Sequence, residues 1–389
     1  MRGVLADRSL FPDLEAKAYL NHAAVSPPSL PVRAAVQEVV DDYARRGAHA
    51  WLRFRDQRDE LRARLAQLVS CAPADIALVP NTSHGVLDVA LCYPWRRGDR
   101  VVLMRGDFPA NVTPWQRAAA TFGLEIAWIE GDAFFAPERA LADLDAVLRR
   151  GVRLVAVSAV QFQTGLRLPV RELAKLCHRH GAKLFVDAIQ AVGGLSVDVT
   201  ADGVDYLAAG AHKWLMGIEG AGFLYIAPAR IAALRPVVAS WLSHEDAARF
   251  LFEGEGHLRH DRPIRQRADF LEIGVMGSAS YAALHASVRI LLDLGPAAIH
   301  AHVQTILDPL EAALTARGFT SVRASDPALR SNILSVRPPA HLDLAATAKA
   351  FDAAGVACAT PDGFLRFSPH WHNRADDVGT VAQALSSLG

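Results

Sequence analysis

Two short stretches, KLFVDAIQAVGG (residues 183–194) and AAGAHKW (residues 208–214), decide how this chain folds. In the first, the apolar run Leu184–Val186 ends on a carboxylate, Asp187, with an amide, Gln190, three positions on. In the second, a short apolar run ends at His212 and Lys213, 26 positions after Asp187. Strands with no polar alternation belong to parallel sheets covered on both faces. Such sheets place ligands beyond the carboxyl ends of their strands, which is where these polar groups stand.

Outward from this core the same pattern repeats. Apolar runs occur at Ile76–Val79, Val101–Met104, Ile126–Ile129, Leu154–Val160, Tyr206–Ala208 and Phe223–Ile226. Helix-like stretches such as Val112–Thr121 and Val170–His180 separate several of them, and Ser29–Arg46 and Trp51–Val69 precede them with apolar residues at helical spacing. The fold class is therefore α/β, a mostly parallel central sheet with helices on both faces. After about residue 250 the pattern changes to helices at Ser278–Leu294 and Ala301–Ala316. A smaller strand and helix set follows: Asn332–Val336, Ala345–Ala354, Val356–Ala359, Phe364–Phe367 and Ala375–Leu388. This predicts a large domain over 15–255 and a smaller α+β domain from 1–14 and 256–389. The charged segment RFLFEGEGHLRHDRPIRQR (249–267) reads as a surface or inter-subunit loop.

Composition narrows the function. The chain has 389 residues, 51% apolar, and Lys+Arg 41 balance Asp+Glu 41. That apolar share builds a large core and excludes a disordered chain. Zero formal charge argues against a nucleic-acid surface, and no uncharged apolar run reaches the roughly 18 residues of a membrane span. Four scattered cysteines with no C-x-x-C pair fit a reducing compartment, so a cytoplasmic location is expected. The histidine pairs His178/His180, His257/His260 and His370/His372 lack an H-E-x-x-H frame, so no metal is expected. There is neither a G-x-S-x-G elbow nor a G-x-G-x-x-G turn after a first strand.

The chemistry lies at the strand ends. A lysine closing an apolar strand is desolvated, which lowers its pKa and makes its amine a usable nucleophile. A carboxylate on a neighbouring strand can pair with a pyridinium nitrogen. Together they are the two parts of a pyridoxal phosphate site, an imine-forming lysine and an acid that keeps the ring an electron sink. An anion site is legible separately: Val79-Pro-Asn-Thr-Ser-His-Gly85 leaves a strand and opens a helix, offering hydroxyls and free backbone N–H groups.

The order V-D-x-x-Q, then H-K, then the glycine-rich GIEGAGFLYI (217–226) resembles the class V aminotransferase family. That family includes cysteine desulfurases, selenocysteine lyases and isopenicillin N epimerase-like enzymes. The resemblance runs from about Ala18 to the C-terminus and is nearest the epimerase-like branch. It implies fold type I, pyridoxal 5'-phosphate as cofactor, an amino-acid substrate and a homodimer. By it, Lys213 matches the Schiff-base lysine and Asp187 the pyridinium partner. Gln190 matches the residue on the ring hydroxyl, and His212, Thr82 and Ser83 match phosphate contacts, with His84 open between the site and solvent. In RGDFPANVTPWQ (105–116), Phe108 takes the place of the ring-stacking residue, where desulfurases carry a proton-moving histidine. Arg366, in GFLRFSPHWHN, matches the arginine for the substrate α-carboxylate. Asn21 and His22, in YLNHAAVSPPS, fall at the substrate entrance, and Gln161 and Gln163 frame the ring's oxygen side. Two positions depart from the family: Gly210 stands where a phosphate-binding serine is common, and Val275 where a threonine from the neighbouring subunit is.

The implied activity is chemistry at the α-carbon of an amino acid or amino-acid-derived substrate, epimerase-like or aminotransferase-like. A C–S or C–Se β-lyase related to the desulfurases is the alternative. A pyridoxal-phosphate-binding pseudo-enzyme is the non-catalytic one.

Overall fold

The computed structural model describes residues 3–386. Seven strands form the main sheet: β1 (Ile76–Val79), β2 (Arg100–Arg105), β3 (Glu125–Glu130), β4 (Leu154–Ser158), β5 (Lys183–Asp187), β6 (Tyr206–Gly210) and β7 (Gly222–Ile226). Their order across the sheet is β1-β7-β6-β5-β4-β2-β3. All are mutually parallel except β7, which runs antiparallel to both neighbours. The reason is connection length. A parallel crossover takes a dozen or more residues, usually with a helix, whereas only residues 211–221 join β6 to β7, so the chain turns straight back.

β1, β4, β6 and β7 are buried along their whole length, as their unbroken apolar sequences require. Helices cover both faces. Val170–Arg179 buries Leu173, Ala174, Leu176 and Cys177 against one face, and on the other Thr82–Cys92 packs with Trp115 of Thr113–Phe122. The helices Leu30–Arg46 and Trp51–Val69 pack against Ser278–Leu294.

The C-terminal part is built around an antiparallel sheet, Leu365–Phe367, Leu334–Arg337 and Thr320–Ser321 in that order. A two-stranded parallel pair, Ala18–Tyr19 with Val356–Ala357, ties the start of the chain to this region. One helix departs from its sequence reading at the front: it spans Pro296–Thr315, because Gly295 (φ 80°) ends the previous helix and Pro296 opens the next. The stretch expected as a helix to Leu388 is helical over Ala375–Ser386, and its last two positions lie outside the described residues. No single helix among the described residues is long and apolar enough to cross a membrane.

Candidate active site

The carboxyl ends of β1, β2, β5 and β6 converge on a cleft of about 430 Å³, whose lining includes Thr82, Phe108, Asp187, Lys213 and Arg366. Each side chain is placed by its local chain. After β1, Asn81 leaves the strand extended (φ −167°) and accepts the His84 backbone N–H at 2.9 Å on its side-chain oxygen, capping the helix Thr82–Cys92. Thr82 and Ser83 therefore sit on the first turn of that helix, both on the cleft. Thr82 Oγ1 is buried and has no hydrogen-bond partner among the described residues. His84 is half-buried and faces Asp88 at 3.6 Å, outside the cleft lining.

After β5, Asp187 ends the strand fully buried and accepts the backbone N–H of Ile189 at 3.0 Å. Burial raises its pKa to about 7; the Ile189 N–H and the Lys213 ammonium work against that rise, and the Asp107 carboxylate adds to it. After β6, the turn holding Lys213 is pinned from several sides. Ser26 donates its hydroxyl to the Lys213 carbonyl at 2.6 Å, and the Met216 N–H donates to the same oxygen at 2.9 Å. Burial brings the Lys213 amine down to about 8, opposed by Asp187 and assisted by Arg366. Its Nζ lies 5.4 Å from the centroid of the Phe108 ring. His212 lines the cleft beside it, its imidazole pKa lowered by partial burial and the adjacent lysine, with Glu219 opposing.

Arg366 reaches the cleft from the small sheet. One end of its guanidinium is fixed by donation to the Phe162 carbonyl at 2.7 Å, while Nε is buried without a partner among the described residues. Burial lowers its pKa to about 10, so it stays cationic at neutral pH.

Five residues that the sequence resemblance points to lie off the cleft. The Gln190 amide is used at both ends, donating to the Ala23 carbonyl at 3.1 Å and accepting the Trp214 indole N–H at 2.7 Å. His22 is fully buried: its Nδ1–H donates to the Ser368 carbonyl at 2.9 Å, which leaves Nε2 to accept from His372 Nε2–H at 3.0 Å. His370 accepts the Trp371 N–H on Nδ1 and donates from Nε2 to the Trp214 carbonyl at 3.0 Å. These imidazoles and Gln190 brace the Lys213 turn from behind, against the N-terminal and C-terminal segments. Asn21 bridges to Ser368 in the same layer, its side-chain oxygen buried and unpartnered among the described residues. Gln161 is buried against Met104, and Gln163 donates to Asp362 at 2.7 Å.

The residues present fit pyridoxal phosphate. A buried hydroxyl without a partner stands at a helix N-terminus, an open buried carboxylate and a desolvated amine share one cleft, and a flat ring faces that amine. Gly210 belongs to this cradle: a Cβ there would stand 3.2 Å from Thr82 Oγ1 and 3.3 Å from Ile189, so the space above the phosphate turn is already filled. Val275 is 69% exposed and does not line the cleft. Sequence reading missed Asp107, whose signal was an acidic residue directly before Phe108 with Asn111 four positions on.

Comparison with known proteins places the chain in a family. The family model described as aminotransferase class-V matches residues 18–381. A probable cysteine desulfurase of Methanothermobacter thermautotrophicus is 27% identical, covering 97% of this chain and 96% of its own. The isopenicillin N epimerase of Streptomyces clavuligerus is 28% identical, covering 85% of this chain and 84% of its own. Among solved structures, a variant of the cystine C–S lyase C-DES, with glycine covalently linked to its PLP cofactor, superposes with TM-score 0.89 at 22% identity, covering 98% and 100% of the two chains. With the model matching nearly its whole length, the chain belongs to the class-V aminotransferase family of pyridoxal-phosphate enzymes.

Proposed function

We propose that this protein acts at the α-carbon of an amino acid or amino-acid-derived substrate, in an epimerase-like or aminotransferase-like reaction. The observation that carries this reading is the pairing of a desolvated Lys213 with a buried Asp187 in one cleft, capped by a half-satisfied Arg366. Thr82, Ser83 and His212 would hold the cofactor phosphate, Phe108 would cover one face of the ring, and Asp187 would face its nitrogen. Bound there, pyridoxal phosphate supplies an electron sink for charge developing at the substrate α-carbon. Arg366 offers its free N–H groups to the substrate carboxylate in a fork geometry. Lys213 takes and returns the α-proton at Nζ, and a proton affinity near pH 8 suits both directions. Gln190 supports the Lys213 turn through the Trp214 indole, and His22 and Asn21 stand in the layer behind it. A homodimer is the assembly this reading carries, supported by the exposed apolar side chains of Leu258 and Val275.

The desulfurase alternative is disfavoured by Cys358. A desulfurase needs a thiolate over the cofactor, whereas Cys358 follows the strand Val356–Ala357, packs against the core and does not line the cleft. Burial, with Asp352 adding, pushes its thiol up to about 12. The pseudo-enzyme alternative is disfavoured by the presence of both Lys213 and Asp187.

The test is spectroscopic. Purified protein should be yellow, and borohydride followed by mass spectrometry should place the cofactor on Lys213. Its bound spectrum should respond to a subset of a panel of amino acids. Ketoacid formation identifies transamination, and solvent deuterium at the α-carbon without net conversion identifies epimerisation. Pyruvate with ammonia or a thiol identifies the lyase alternative, and attachment at another lysine refutes the site.

A further inference from the structure

Asp107 has no place in the roles above, yet it is held more tightly than any other carboxylate near the cleft. It follows β2, on the loop that carries Phe108. Its Oδ1 accepts the Phe108 backbone N–H at 2.7 Å and the Ser158 hydroxyl at 2.5 Å, while Oδ2 accepts the Asn111 side-chain amide at 3.1 Å. Asn111 is itself buried and accepts the indole N–H of the fully buried Trp115 at 3.2 Å. Three donors and no cation converge on one carboxylate. These donors favour the ionised form and work against burial, which raises the Asp107 pKa.

The location gives this charge its meaning. Ser158, the donor at 2.5 Å, is the register partner of Asp187 on adjacent parallel strands β4 and β5. Asp107 therefore sets a second negative charge beside Asp187, and the Phe108 loop is fastened to the same anchor. The other charges facing Asp187 are Lys213, from the turn after β6, and beyond it Arg366 from the small sheet, which acts on Lys213.

We propose that Asp107 is a positioning residue of the active site: an ionised carboxylate that seats the Phe108 ring and, as a like charge beside Asp187, raises the proton affinity of the group held there. A pyridine nitrogen facing Asp187, with the Asp107 charge behind that carboxylate, would keep its proton to a higher pH than one facing Asp187 alone, so the pair would tune the ring as an electron sink. The upward shift of Asp187, to which Asp107 contributes, agrees with this geometry. This inference rests on the proposed site for its meaning, but its physical content is measurable without cofactor.

The experiment uses the full-length cofactor-free protein with 13C-labelled aspartate, the Asp187 carboxyl signal being identified by its loss in Asp187→Asn. In Asp107→Asn, which keeps size and most hydrogen-bonding capacity, the Asp187 titration midpoint should fall by about one pH unit. Asp107→Glu, which keeps the charge, should restore most of that shift. In cofactor-loaded Asp107→Asn, the pH at which the visible band loses its ring-proton signature should fall in the same direction. An unchanged Asp187 midpoint in Asp107→Asn refutes the proposal, whatever the activity. Should that variant not fold, Ser158→Ala serves instead: losing its strongest donor, Asp107 should titrate at higher pH, and an unchanged Asp107 midpoint refutes the arrangement. Failure of the borohydride experiment at Lys213 would sink the proposed site without altering these cofactor-free titrations.

Discussion

Gly193 offers a direct test of how the fold holds the reactive lysine. Its backbone sits at φ +102°, a conformation side chains rarely adopt. A Cβ added there would stand 2.2 Å from the Trp214 carbonyl oxygen and 2.6 Å from its carbon. Both are backbone atoms of the residue next to Lys213, so no side chain can swing aside. That carbonyl is also the acceptor for His370, and a displaced peptide would break this bond as well. For Gly193→Ala we expect about 1–2 kcal/mol for the left-handed conformation and a further 1–3 kcal/mol for overpacking. Gly181→Ala is the control, since Gly181 has φ +74° but nothing within 4 Å of the added Cβ. It should cost only the conformational part, about 1–2 kcal/mol. Urea unfolding of both variants separates the two contributions, and borohydride trapping reports the fraction of cofactor attached to Lys213. The reasoning fails if the two variants lose equal stability, or if Gly193→Ala traps cofactor as fully as the parent.

Three further outcomes are expected. Asp187→Ala should retain attachment at Lys213 but lose on the order of 10²–10³ in turnover, through loss of a preorganised electrostatic partner; turnover equal to the parent would contradict its role. Stability should fall as pH drops below 6.5, because burial lowers His370 to about 4 and His372 to about 3, so the native state binds fewer protons than the unfolded chain across that window. Each such imidazole contributes a slope of about 1.4 kcal/mol per pH unit. His372→Gln keeps a donor for His22 yet cannot titrate, and urea midpoints at pH 7 and 4.5 should show a shallower loss; an equal loss would place the titrating groups elsewhere. Finally, protein incubated with cysteine and a reductant should release little sulfide and alanine. Robust release of both that vanishes in Cys358→Ser would move the chain to the desulfurase reading.

The sequence alone carried the α/β class, because parallel strands buried on both faces must be mostly apolar, and β1, β4 and β6 are. It also carried the Asp187 and Lys213 pair, since polar groups at the ends of such strands have little structural reason to be there. Tertiary structure decided what local pattern cannot encode. The reversed direction of β7 follows from the short 211–221 connection and from where its neighbours lie, not from its own apolar residues. Gln190, His22 and His372 share a candidate's chemistry with Thr82 and Arg366, yet packing places them off the cleft, bonded to partners distant in sequence. Asp107 shows the converse, an unremarked acid in a loop that becomes a neighbour of Asp187 only when β2, β4 and β5 align side by side. A side chain's chemistry is written in its own residue, but its role depends on which distant groups claim its donors and acceptors, and that is fixed only by packing.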